Sequence, residues 1–350
     1  MKIAMTHVDL PNEAKGGVAF QAHYLANALV DRGHDVTMFT LSSGDTDCRY
    51  RIHQYHLPSC FRRFKAFMFA VYLAKTDFSR FDVVHTHGDN YLLWNCHPQI
   101  RTFHGSAQDE ARSAVRWQRR LYQSVLAGLE PFSVRWADIS VGVSQATQSK
   151  IPAISTIIPC GVDTTYFRPG RKSMQPSLLF VGTVEGRKRG QYLANVFTQE
   201  VRPRFPNAEL WMVSDRAVVG EGIVNLGKVS LEALSHLYQQ AWLFCLPSTY
   251  EGFGVPYIEA MAAGTPVVAT TNPGAQEVLQ DGEYGLIVDE TKLGQQINRL
   301  FQDPDLREVY ARKGLNRVQA FSWSSIVTQY EILYRQLSTD LIHHYRSEYV

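Results

Sequence analysis

Two carboxylates, Glu251 and Glu259, flank a glycine-bearing turn in the run Glu251-Gly-Phe-Gly-Val-Pro-Tyr-Ile-Glu259, which continues through Gly264-Thr-Pro266. Proline favours the first helical position and glycine the position just past the last, so Pro256 and Gly264 bracket a helix of about two turns. The start of such a helix carries unmet backbone N–H groups with the helix dipole behind them. Gly252 and Gly254 remove side-chain bulk there, so the turn can cradle a diphosphate or the hydroxyls of a sugar. Glu259 is expected in the first turn, facing the same pocket, with Glu251 on the loop before it. Two carboxylates on one rim suit ribose or hexose hydroxyls.

Cleaving a sugar–diphosphate bond develops negative charge on the phosphate oxygens, which cations or amide donors must meet. Arg187-Lys188-Arg189-Gly190, shortly after the apolar run Leu178 to Val181, offers that charge. No side chain stands out as a covalent nucleophile, and Glu251 and Glu259 are assigned to binding because glycosidase chemistry needs carboxylates opposed across the sugar. Asp45-Thr-Asp47 has the spacing of a metal-binding carboxylate pair but lies in a polar loop and is read as a turn. Nothing else clusters as ligands, and no metal is expected. His85 and His87 are read as pointing to opposite faces of one strand, which excludes a shared ion, with His87 lining the cleft.

These residues need a scaffold, and the chain supplies it twice. Short apolar runs alternate with amphipathic helical windows, the pattern of parallel sheets covered by helices on both faces. The first set of strands is expected at Lys2 to Thr6, Val36 to Thr40, Val83 to His87, Ile100 to Phe103, Ile139 to Val143 and Thr156 to Ile158, with a helical period from Val18 to Arg32. The second is expected at Leu178 to Val181, Glu209 to Val213, Trp242 to Leu246, Val267 to Thr270 and Gly285 to Val288. Turn residues dominate from Pro159 to Pro176 and mark the connection. The domain reading is therefore an amino-terminal domain at 1–165, a linker at 166–176 and a carboxy-terminal domain at 177–322, with a last segment at 323–350.

Composition narrows the function. A chain of 350 residues is comfortable for two domains of ordinary size. No apolar run reaches membrane-spanning length, the first residues enter a strand directly, and a cytoplasmic protein is expected. The five cysteines are scattered and never form a CxxC pair, which argues against a disulfide framework and a zinc ribbon. A net charge of +2 predicts no nucleic-acid partner. Phe61 to Lys75 mixes bulky apolar residues with a basic start, and Arg112, Arg116, Arg119 and Arg120 surround Trp117. Either could rest on an anionic bilayer, as a peripheral contact at the inner membrane face, and the buried-helix reading of the first is favoured by apolarity nearly all round.

Further motifs carry a resemblance. Gly16-Gly17 before a helix that ends Arg-Gly-His-Asp-Val, Asp-Val-Val-His-Thr-His87, Thr-Phe-His104-Gly, Val-Gly-Val-Ser144, Ile-Ile-Pro-Cys-Gly-Val-Asp163, Pro-Ser-Thr-Tyr-Glu251 through Pro266, Gly274, Glu277, Asp281-Gly282-Glu-Tyr-Gly285 and Phe321-Ser-Trp323 span nearly the whole chain. Together they resemble the retaining GT-B glycosyltransferases of family four (glycosyl transferases group 1). The resemblance implies an α/β GT-B fold, two Rossmann-like domains facing each other across a cleft, with the acceptor in the first, a nucleotide sugar in the second, and 323–350 a carboxy-terminal helix returning to the first domain. It implies hexose transfer from a nucleotide diphosphate sugar to a hydroxyl of a glycan, lipid or small molecule, without a further cofactor.

Site residues follow from the same likeness. Glu259 would bind the ribose hydroxyls, while Glu251 and the amides of Phe253, Gly254 and Val255 would meet the sugar and diphosphate. Gly16 and Gly17 would let backbone approach the donor phosphate without a Cβ in the way. His104 would contact the donor sugar near the reacting carbon, and backbone around Val229 would meet the base. The chain departs from the family where an arginine usually follows the glycine of the strand at Leu178 to Val181: Thr183 stands there, with Arg189 where a lysine is usual. Arg187 or Lys188 would have to reach back, so Arg187, Lys188 and Arg189 are all assigned to the site. A sugar phosphorylase, a nucleotide-sugar epimerase and a catalytically silent nucleotide-sugar binding subunit are the competing readings. The pair at Gly16 lacks GxGxxG spacing, which disfavours a dehydrogenase.

Overall fold

A computed structural model of the chain describes residues 1–11, 16–43, 47–113 and 117–348, and of residues 113, 119 and 339–348 the backbone alone. The chain divides into two compact units. Among the described residues, the first comprises those of Met1–Arg112, 117–161 and 323–348, and the second comprises Val162–Ser322.

The first unit holds seven described strands: β1 (Lys2–Thr6), β2 (Asp35–Thr40), β3 (Arg51–Gln54), β4 (Val83–Thr86), β5 (Gln99–Phe103), β6 (Ile139–Gly142) and β7 (Thr156–Ile157). They form one parallel sheet in the order β3-β2-β1-β4-β5-β6-β7. Its helices are α1 (Gly17–Asp31), α2 (Lys65–Ala74), α3 (Ala107–Ser113), α4 (Trp117–Trp136) and α5 (Gln145–Lys150). The order reverses between β1 and β4, and in open α/β sheets the ligand crevice opens at the carboxyl ends of the strands at such a reversal. His7 and His87 follow those two strands.

The second unit repeats the plan with β8 (Ser177–Gly182), β9 (Glu209–Ser214), β10 (Ile223–Asn225), β11 (Leu243–Leu246), β12 (Val267–Thr270) and β13 (Leu286–Val288). These pair in parallel in the order β10-β9-β8-β11-β12-β13. Its helices are α6 (Gly190–Val196), α7 (Leu231–Gln240), α8 (Val255–Ala262), α9 (Pro273–Val278), α10 (Leu293–Gln302) and α11 (Pro304–Arg317). Here the reversal falls between β8 and β11. The segments leaving those strands are Thr183 to Lys188 and Pro247 to Glu251, so topology alone brings the basic run and the first carboxylate to one place.

Helix α1 forms because its small and apolar residues recur at helical spacing: Ala19, Ala22, Leu25, Ala26 and Leu29 are buried. Gly33 stops it at a φ of 84°, with its N–H on the Val30 carbonyl at 2.9 Å. The buried face of α1 shares a core with Ile326, Val327, Tyr330 and Tyr334 of the last helix, α12 (Trp323–Glu348). Entry into α12 is tightly specified. A Cβ at Gly161 would stand 2.6 Å from the Trp323 ring, and the Gln21 amide both donates to the Gly161 carbonyl and accepts from its N–H, each at 2.9 Å.

Strands β3 and β10 are absent from the sequence reading. Both lie at sheet edges, and Arg51–Gln54 carries no buried residue, so neither shows the apolar run by which a strand is recognised. The stretch from Phe61 to Lys75 is split. Ser59–Phe64 is a 3₁₀ turn with no buried residue, leaving Phe61 and Phe64 exposed, whereas α2 buries Ala66, Phe69, Ala70 and Leu73. Trp117 is exposed at the start of α4; Arg116 and the Arg119 side chain lie outside the described residues. No described helix is long and apolar enough to cross a membrane.

Candidate functional site

In the second unit, the turn after β11 bends into α8 as its glycines require. Gly254 caps α8 at φ 99° with no side-chain bond, and a Cβ there would overlap the Tyr257 ring. Pro256 sits in the first turn and Gly264 follows the helix at φ 63°. Gly274 is the close approach that holds the loop, since a Cβ would fall 2.6 Å from the Phe253 carbonyl and 2.8 Å from that of Glu251. Asn272 ties the same region together by donating to the Ser248 carbonyl at 3.2 Å and accepting from Ala275 N–H at 3.0 Å.

Glu251 is buried, and its Oε1 accepts from the Ser248 hydroxyl and lies 2.8 Å from Arg187 Nη1 and 3.9 Å from Lys188 Nζ. Arg187 also donates to the Tyr250 carbonyl at 2.8 Å. Lys188 reaches this point across Gly182, where a Cβ would fall 2.5 Å from its Cδ. Burial pushes the Glu251 carboxyl up, but Lys188, Arg187 and the hydrogen bonds from Arg187 and Ser248 outweigh it and hold the group ionised below its usual range.

Glu259 lies in the second turn of α8, not the first as expected, because the helix starts at Val255. It is partly buried, and Tyr238 Oη donates to its Oε2 at 2.9 Å. Burial raises its carboxyl to about 7, against the lowering effects of the Tyr238 hydrogen bond and the Lys188 charge. One ammonium, that of Lys188, therefore acts on both carboxylates.

Arg189 is not brought to this cluster. It takes a left-handed φ of 57°, stacks on Tyr192 at 4.1 Å, and its guanidinium is engaged by both oxygens of Glu290. Thr183 donates its hydroxyl to the Glu185 carbonyl at 2.8 Å. Val229 is half-buried on the loop between β10 and α7. Sequence reasoning missed Tyr238, Ser248 and Gly182. Only Gly182 had a local signal, a glycine ending an apolar strand.

In the first unit, Gly16 precedes α1 in an extended conformation, and a Cβ on either Gly16 or Gly17 would meet nothing within 4 Å. Their use is open space, not a special φ. His104 follows β5, and its Nε2 is 3.0 Å from His87 Nδ1. The reading that put His85 and His87 on opposite faces is wrong: their rings are 4.3 Å apart. Side chains alternate with period two, so residues two apart share a face. His85 is nevertheless committed, to Tyr334 at 2.7 Å and Thr102 at 2.8 Å. Desolvation lowers the pKa of His7, His85, His87 and His104, His85 to about 3.

Asp45 lies outside the described residues, whereas Asp47 stands 3.2 Å from His23 Nε2. With Cys48 these form a group whose ligand atoms lie within 4.8 Å of one another, a cluster that sequence spacing did not flag. His23 is already engaged there by Tyr50 at 2.7 Å and Asn27 at 3.2 Å.

The profile described as Glycosyltransferase Family 4 matches residues 15–166, and that described as Glycosyl transferases group 1 matches residues 175–303. The chain is 34% identical over 167 residues to O-antigen chain mannosyltransferase B of Escherichia coli, a match spanning 43% of either protein. It is 26% identical over 380 residues to phosphatidyl-myo-inositol mannosyltransferase of Mycolicibacterium smegmatis, covering 93% of this chain and 92% of that one. Among solved structures, sucrose-phosphate synthase from Thermosynechococcus elongatus superposes with a TM-score of 0.78 at 25% identity, covering 97% of this chain and 99% of that one.

Proposed function

The chain belongs to family 4 of the GT-B glycosyltransferases, and on that premise we propose that it moves a hexose from a nucleoside diphosphate sugar to an acceptor hydroxyl with retention at the anomeric carbon. The observation that carries this reading is the placement of Lys188: laid over Gly182, 3.9 Å from Glu251, and felt by Glu259 as well. A cation that contacts one carboxylate and acts on a second, in the unit that also carries the amide end of α8, suits a diphosphate whose sugar and ribose hydroxyls need acceptors.

In this reading Glu259 receives the ribose hydroxyls, and the amides of Phe253, Gly254 and Val255 meet the diphosphate. Glu251 serves as a positioning group that aims Arg187 and Lys188, since its Oε1 is already taken by them and by Ser248. The bond from the anomeric carbon to the β-phosphate oxygen breaks while the acceptor oxygen bonds to that carbon on the same face. The acceptor proton passes to the departing phosphate, and nucleoside diphosphate leaves. Cations and amides supply the positive charge this requires, so the proposal calls for no metal or other cofactor. His104 pairs with His87 within the first unit. The mannosyltransferase names of two relatives make mannose the hexose to test first. A cytoplasmic site of action, at or near the inner membrane face, is supported by five free cysteines and by exposed Phe61, Phe64 and Trp117.

The test is a thermal-shift panel of UDP, GDP, ADP and their hexose conjugates, followed by an assay of nucleoside diphosphate release. A matching nucleotide at about 100 times its Kd adds roughly 2.7 kcal/mol of stability. Glu259→Ala is expected to remove most of that shift. Silence across the whole panel, or an unchanged response in the variant, would sink the proposal.

A further inference from the structure

Arg101 stands in β5 of the first unit, between buried Ile100 and Thr102, with its guanidinium 4.6 Å over the Phe103 ring. Its Nε and Nη1 are buried and meet no hydrogen-bond acceptor. The carboxylates in its field do not pair with it: Glu130 Oε1 accepts instead from Ala107 N–H at 2.7 Å, and Asp89 acts only through space. Gly88 lies against the guanidinium, a Cβ there falling 3.8 Å from Nη1. A guanidinium cannot shed its proton to relieve such burial, so its unmet donors call for an anion.

The neighbours define what that anion belongs to. Arg101 acts electrostatically on His7, His87 and His104 at the carboxyl ends of β1, β4 and β5, where the first unit's crevice opens. His87 Nε2 is likewise buried without a partner. Lys65 reaches the same region, its Nζ 2.5 Å from Asp9 Oδ2. Asp89 joins it at a left-handed φ of 59°. Asp9 and Asp89 offer acceptors for hydroxyls, while Arg101 offers unmet donors for an oxyanion.

We propose that Arg101 is the anion-holding residue of the acceptor pocket, and that the acceptor is a phosphorylated sugar or polyol whose hydroxyls meet Asp9 and Asp89. The inference rests on the transferase reading only in calling that molecule an acceptor. A guanidinium suits the planar, multi-oxygen face of a phosphate where an ammonium is a point charge. The phosphate could be free or part of a lipid headgroup, and both present the same group to Arg101.

Titration of the full chain with inorganic phosphate and with glucose 6-phosphate, read as a thermal shift, tests this in wild type, Arg101→Met and Arg101→Lys. Both ligands are expected to raise the Tm of wild type, with affinity at least tenfold weaker in Arg101→Met and partly restored in Arg101→Lys. A wild type that ignores inorganic phosphate, glucose 6-phosphate and phosphatidylinositol vesicles alike, or an Arg101→Met protein that binds them as well as wild type does, overturns the proposal. Should Arg101→Met fail to fold, Arg101→Lys decides: unchanged affinity overturns, a marked loss supports. Vesicles of phosphatidylinositol in phosphatidylcholine form the second arm. Arg101-dependent binding to glucose 6-phosphate but not vesicles supports a soluble acceptor, and binding to vesicles but not glucose 6-phosphate a headgroup. Arg101→Met must keep the wild-type response to the nucleotide panel, since those residues lie in the other unit. An Arg101-dependent phosphate response with no nucleotide response would preserve the anion site while removing the transferase reading.

Discussion

Glu251 is the residue on which the second unit's site turns. Its carboxylate is 6% exposed and joins Ser248, Arg187 and Lys188 at one oxygen. Removing one member of a buried, hydrogen-bonded charge cluster leaves the others uncompensated, at a cost of roughly 3 kcal/mol. Glu251→Ala is therefore expected to lower the unfolding free energy from urea titration by about that amount and to reduce turnover more than nucleotide affinity, because the two cations lose their aim. A stability and kcat equal to wild type would contradict the positioning role. Sequence alone could name Glu251 and Lys188 as candidates. It could not separate Lys188 from Arg189, one residue on, because which cation turns inward depends on the left-handed kink at Arg189 and on Glu290, far along the chain.

At the scale of elements, the start and the stop of α8 make a controlled comparison. Gly254 and Gly264 both take positive φ, 99° and 63°. A Cβ at Gly254 would also strike the Tyr257 ring, whereas at Gly264 its nearest neighbours are Leu315 and Pro169 at 3.5 Å. Gly264→Ala should cost about 1–2 kcal/mol, the conformational term by itself. Gly254→Ala should cost distinctly more and weaken donor binding as well, since the amide end of the helix must shift. Equal melting temperatures for the two variants would show that Tyr257 does not fix the turn. This helix was legible in the sequence because proline and glycine act locally. Edge strands β3 and β10 were not, since an edge strand is held by backbone pairing that needs no apolar side chains.

For the whole molecule, the two units carry opposite responses to acid. His7, His85, His87 and His104 all have depressed pKa values in the first unit, so below pH 6.5 the unfolded chain takes up protons that the folded one refuses. Each such group removes up to about 1.4 kcal/mol per pH unit as acid is added. Asp89, raised to about 6, and Glu130, also raised, work the other way, binding protons in the folded state first, but they are outnumbered. In the second unit Glu259, raised to about 7, gains stability between pH 7 and its unfolded value of 4.5, while the lowered Glu251 loses its contribution only below that value. Hydrogen exchange between pH 7 and 5 should therefore show protection falling in β5 while it holds in β11. Parallel loss in both strands would contradict the assignment.

The sequence by itself determined that there are two parallel α/β halves, where most strands run, and that a glycine-bearing turn opens a short helix between two carboxylates. Periodicity, proline and glycine settle those matters within a few residues of where they act. The spacing of His85 and His87 was legible in the same way and was misread. Tertiary structure alone decided that Tyr238 holds Glu259, that Arg187 meets the Tyr250 carbonyl 63 positions along the chain, and that Nε and Nη1 of Arg101 find no acceptor. Those outcomes depend on where side chains from distant segments converge once the sheets are wound, and no local pattern records that convergence.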